Sequence, residues 1–101
     1  MNIIDVKATE LSELAHRFGV TRLDLFGSGA GEHFDPSRSD LDFLVTFQDA
    51  PPGGMANAYF GLLEGLERLF DRPVDLVTER SIKNPYFLRS VNETRRPVYV
   101  A

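Results

Sequence analysis

Apolar residues recur along the chain in three rhythms, and each rhythm predicts an element. Between Thr9 and Phe18, Leu11, Leu14, Ala15 and Phe18 fall at i, i+3, i+4 and i+7, the spacing of an amphipathic helix. Gly19 follows as its C-cap. Arg22 to Phe26 alternates instead, with Leu23 and Leu25 on one face and Arg22, Asp24 and Phe26 on the other, which predicts a strand. Leu41 to Phe47 is nearly continuous in apolar residues, as expected of a strand covered on both faces. Pro51, Pro52, Gly53 and Gly54 mark a loop. Helical spacing returns from Met55 to Phe70, with Phe60, Leu63, Leu66, Leu69 and Phe70 as the stripe. Val74 to Thr78 predicts a third strand, Ser81 to Arg95 a helix with Pro85 in its first turn, and Val98 to Val100 a short edge strand.

Strands that alternate with helices predict an α/β fold: a small mixed β-sheet of three to four strands flanked by helices. No repeat or low-complexity tract divides the sequence, so residues 1–101 read as a single domain. Residues 27–38 are turn-rich and leave room for a short helix beginning at Ser28.

Two segments carry candidate chemistry. Leu25-Phe26-Gly27-Ser28 is an apolar strand leaving through a tight turn, and Ser39-Asp40-Leu41-Asp42-Phe43-Leu44-Val45 opens the next strand with two aspartates one residue apart. Alternate residues of a strand face the same side, so Asp40 and Asp42 present their carboxylates together. Like charges on one face repel unless a cation lies between them. Magnesium is the ordinary answer, a hard ion that takes one or two carboxylates plus substrate phosphates. A third acid, Asp75, sits between Val74 and Leu76 in a short apolar strand, where an unpaired charge is costly. The turn at Gly27-Ser28 offers backbone N–H groups and a hydroxyl to phosphates, and Gly29 and Gly31 keep it open. Phosphate cradle and metal carboxylates together indicate a nucleotide-handling site.

Composition narrows the alternatives. Hydrophobic residues at 43 % and charged residues at 26 % are those of a folded globular chain. A net charge of −4 argues against a nucleic-acid-coating surface, which needs clustered Lys and Arg. The absence of cysteine removes disulfides, thiolate metal sites and cysteine nucleophiles. The first residues lack a signal-peptide pattern and no apolar run is long enough for a membrane span, so a cytoplasmic protein without membrane contact is expected. His33 by itself forms no catalytic motif, and His16 lies on the polar side of the first helix. Arg68, Arg72, Arg89, Arg95 and Arg96 read as solvated or partner-facing, and Tyr59, Tyr86 and Tyr99 as half-buried packing. A Walker-type loop is missing, the glycines of 27–31 lack dinucleotide-binding spacing, and the apolar strand follows rather than precedes the aspartates, unlike haloacid-dehalogenase-type phosphatases.

Gly27-Ser28, Asp40-Leu41-Asp42 and Asp75 together resemble the polymerase-β-type nucleotidyltransferase superfamily, and within it the minimal nucleotidyltransferases. The resemblance runs over nearly the whole chain, including Val74-Asp75-Leu76-Val77-Thr78 and Lys83-Asn84-Pro85-Tyr86-Phe87. It implies a nucleotidyltransferase fold, with Gly27 and Ser28 holding the triphosphate of ATP or another nucleoside triphosphate. Asp40, Asp42 and Asp75 would hold Mg2+ and carry catalysis, with Asp75 as the base. It further implies an antitoxin that transfers AMP to a hydroxyl of a small helical HEPN-type toxin. One departure stands out: where relatives carry arginine then glycine past the Gly-Ser pair, this chain has Gly31 and Glu32. That exchange favours a rival reading, a fold-retaining protein that neutralises its partner by contact alone.

Overall fold

The computed structural model describes residues 3–27 and 40–101. A one-turn helix α1 (Ile3–Val6) leads into α2 (Ala8–Arg17), which is followed by β1 (Val20–Phe26), β2 (Leu41–Phe47), α3 (Met55–Phe70) and β3 (Val74–Thr78). A 3-10 turn (Glu79–Ser81) precedes α4 (Pro85–Thr94) and β4 (Arg96–Val100). The four strands form one mixed sheet in the order β3-β2-β1-β4. β1 runs antiparallel to both β2 and β4, whereas β2 and β3 are parallel. The parallel pair requires a crossover, and α3 supplies it.

The alternation in β1 divides the core in two. Leu23 and Leu25 join Leu41, Phe43 and Val45 of β2 on the face covered by α2 and α3, where Leu11, Ala15, Leu62, Leu66 and Phe70 are buried against them. Burial of these side chains contributes about 1.5–3 kcal/mol each for the larger ones. The opposite face carries a smaller cluster of Phe26, Leu44 and Val91, covered by α4. The near-continuous apolar run of β2 follows from its position, since both of its faces are roofed by helices. α2 approaches α3 closely because α3 has glycine at two contact points. A Cβ at Gly61 would stand 2.3 Å from the Phe18 ring, and one at Gly65 would stand 2.4 Å from Leu14.

Several boundaries differ from the sequence expectations. The last helix begins at Pro85 rather than Ser81, because Asn84 caps it by accepting from the N–H groups of Tyr86 and Phe87. The final strand is longer than expected and lies beside β1, making β1 an interior strand. On α3 the buried stripe is Ala58, Leu62, Leu66 and Phe70, whereas Phe60 is 61 % exposed. The buried register begins at the small Ala58, two positions before Phe60, and shares only Leu66 and Phe70 with the expected stripe. The short helix expected from Ser28 lies outside the described residues. No helix among the described residues is long and apolar enough to cross a membrane.

Candidate active site

Sheet register puts the candidate acids together. Asp42 of β2 stands opposite Phe26 across the antiparallel ladder and opposite Asp75 across the parallel one. The row Phe26, Asp42, Asp75 therefore crosses the sheet on its α4 face, with neighbouring strands about 4.8 Å apart. Asp42 and Asp75 are side by side and share a hydrogen bond. The Asp42 carboxyl is pushed up to about 6, first by burial, then by its hydrogen bond to Asp75 and by the charges of Asp75 and Asp40.

Asp40 takes a different place. It is exposed, one residue before β2 begins, and acts on Asp42 only as the weakest of those causes. Among the described residues no group of three or more acid or histidine side chains is gathered closely enough to hold a metal. The pair, rather than a triad, is what the strands themselves build. Its donors are hard carboxylate oxygens, which suit magnesium, and a cation would relieve the repulsion that drives Asp42 upward.

Gly27 closes the site from β1. Its φ is +70°, a left-handed conformation that favours glycine, and a Cβ there would lie 2.8 Å from Asp42 Oδ2. The missing side chain makes room for the carboxylate. The Gly27 N–H donates to Thr94 Oγ1 at 2.9 Å, at the last residue of α4. Ser28, the other expected phosphate contact, lies outside the described residues, as do Gly29, Gly31, Glu32, His33 and Ser39.

A cleft of about 410 Å³ opens beside the acids, with Phe26, Tyr59, Val77 and Phe87 among its walls. Tyr59 donates its hydroxyl to the Leu76 carbonyl, fixing α3 against the outer strand. A larger hollow of about 530 Å³ lies at the other end of β2 and β3, around Phe47, Met55 and Arg80. Of its two carboxylates, Glu79 accepts from Arg95 at 2.7 Å and from Thr46 at 3.2 Å, and Asp49 lies just past the end of β2. The smaller cleft holds the in-register acid pair, and chemistry outweighs volume in choosing it.

Sequence reasoning missed the group that braces this site. Asp24 is fully buried on the α4 face of β1. It accepts from Arg95 Nε at 2.8 Å and Nη2, and from Arg22 Nε at 3.1 Å. Arg95 is thus neither solvated nor partner-facing; its side chain is 17 % exposed. Burial pulls its pKa down, but the bonds to Glu79 and Asp24 outweigh that and hold it above its usual range. The Arg95 hydrogen bond in turn holds Glu79 below the usual carboxylate range. The signal was an acid flanked by apolar residues in a strand, which demands a cation somewhere. Tyr86 also departs from expectation, being 82 % exposed.

A sequence model of the nucleotidyltransferase domain matches residues 8–98, spanning β1 to β3, the first part of β4 and the Gly27, Asp42, Asp75 arrangement. The chain belongs to this family. It is 40 % identical over 73 residues to the protein adenylyltransferase MntA of Thermococcus cleftensis, covering 71 % of this chain and 69 % of the relative. A solved structure described as a "putative minimal nucleotidyltransferase" superposes with a TM-score of 0.71 at 29 % identity, over 96 % of both chains. The fold also matches, with a TM-score of 0.64 at 20 % identity, a structure of the tri-AMPylated Shewanella oneidensis HEPN toxin in complex with MNT antitoxin. That match covers 97 % of this chain and 73 % of the other. This nucleotidyltransferase is accordingly an enzyme by family, with the mixed four-stranded sheet of its structural neighbours.

Proposed function

We propose that this nucleotidyltransferase moves AMP from ATP onto a hydroxyl of a partner protein, in the cytoplasm and with Mg2+, as the antitoxin of a HEPN-type toxin. The observation that carries the reading is the in-register pair Asp42 and Asp75 beside an open cleft. Asp42 and Asp75 would hold the metal, joined by Asp40 at the head of β2, and Gly27 and Ser28 would flank the triphosphate. When bound, the metal neutralises phosphate charge and steadies the departing pyrophosphate. Asp75 is the more exposed of the pair and borders the cleft, the position from which a base takes the acceptor hydroxyl's proton. The hydroxyl oxygen forms a bond to the α-phosphorus as the bond to the bridging oxygen breaks, and pyrophosphate leaves.

The MntA relative and the complex of an MNT antitoxin with an AMPylated toxin support a protein acceptor. Gly31 and Glu32 favour a second reading, inhibition by contact without transfer, since a cation is lost and an acid is added where polyanionic phosphates would bind. ATP labelled at the α-phosphate or at the γ-phosphate separates the two. Incubated with Mg2+ and a HEPN-type partner protein, only the α-label should pass to that protein. Neutralisation of the partner without transfer of either label would establish contact inhibition instead.

A further inference from the structure

The helix α4 grips the end of β1 at two adjacent positions. Arg95, just past the helix, clamps buried Asp24 by its side chain while its own N–H donates to the Val91 carbonyl at 2.8 Å. One residue earlier, Thr94 accepts the Gly27 N–H at 2.9 Å. Its hydroxyl lies 3.4 Å from the carbonyls of Ser90 and Val91, so it is oriented by the helix's own last turn. Between the two grips, Phe26 packs edge-on against Phe87 of the same helix, with ring centroids 6.1 Å apart. Asp24 and Phe26 on this face of β1, and Gly27 just after it, are therefore each tied to α4 or to the residue that follows it.

We infer that Thr94 is a positioning residue for the nucleotide site. This rests on the reading that Gly27 opens the phosphate turn. The Gly27 N–H is committed to Thr94, so its part in that turn is to fix where the chain leaves the sheet. From that fixed point the chain passes to Ser28, and Gly27 keeps its bare Cα facing Asp42 Oδ2. Without the hydroxyl acceptor, the Gly27 peptide is free to rotate, and both the turn and the space for Asp42 lose their reference. Thr94 itself is exposed, so the effect passes through one hydrogen bond and not through the core.

Thr94→Val keeps the shape and removes the acceptor, whereas Thr94→Ser keeps the hydroxyl. Affinity for Mg–ATP is read by titration, AMP transfer by label, and the Gly27 amide by hydrogen exchange. Thr94→Val should weaken nucleotide binding by about three- to tenfold, the range of one net hydrogen bond, and lower the thermal transition by several degrees without unfolding the protein. It should speed Gly27 exchange, raise KM for ATP more than it lowers kcat, and leave KM for the acceptor alone. Thr94→Ser should restore all of these. Equal nucleotide affinity in wild type and Thr94→Val, with Gly27 exchange accelerated, would overturn the role while leaving the transferase reading intact. A wild type that binds nucleotide and transfers no AMP would sink the transferase reading alone, and the affinities would still decide for or against Thr94.

Discussion

Gly27 and Asp42 are complementary: the Cβ that glycine lacks would lie 2.8 Å from Asp42 Oδ2. Both the φ of +70° and the proximity of the carboxylate penalise any side chain at position 27. Gly27→Ala should cost about 1–2 kcal/mol through the left-handed backbone. It should lower transfer far more, on the order of a hundredfold, because Asp42 is pushed from its place beside Asp75. Melting curves and initial rates on the same preparation separate the two effects.

In the metal-free protein the acid pair makes stability depend on pH in an unusual direction. Asp42 stands at about 6 in the folded chain, above its unfolded value near 3.8. The folded state therefore binds a proton that the unfolded state releases, and the resulting stability is present below the unfolded value and lost as pH rises through about 6. With chelator present, the melting temperature should rise as pH falls from 7.5 to 5. Asp42→Asn should flatten that slope and raise the melting temperature at pH 7.5. Glu79 is shifted in the other direction, so its contribution is lost only at lower pH. A slope of the same size in Asp42→Asn would assign the proton elsewhere.

Arg95→Ala should destabilise the fold by about 3 kcal/mol, the lower end of the range for breaking a buried pair, because Arg22 still reaches Asp24. For a domain of this size that is a fall of more than 10 °C, at about 4–8 °C per kcal/mol. Pairing Arg95→Met with Asp24→Leu should recover much of the loss, since no buried charge is then left without a partner. Denaturation midpoints of the single and double variants check both statements.

The sequence disclosed most of the architecture because its periodicities were unambiguous. β2, α3 and β3 occur at the expected positions, since each is a strongly patterned run preceded directly by Asp, Gly or Pro. Asp75 was recognisable as an odd acid in an apolar strand, and register then paired it with Asp42. The contact between Arg95 and Asp24 was not legible. It joins residues 71 apart, and nothing in local spacing selects one arginine among several. Thr94 was hidden for the same reason, its partner Gly27 being 67 residues away. The α3 stripe was misread where a small residue, Ala58, does the packing that Phe60 seemed suited to.

The intact mass of the partner protein after incubation with ATP tests the central claim most directly. Wild-type enzyme with Mg2+ should add whole AMP units to the partner. Chelator, Asp42→Asn or Asp75→Asn should each leave its mass unchanged, although the two variants remain folded. AMP addition at near wild-type rates by both variants would contradict the assignment of Asp42 and Asp75 as the catalytic pair.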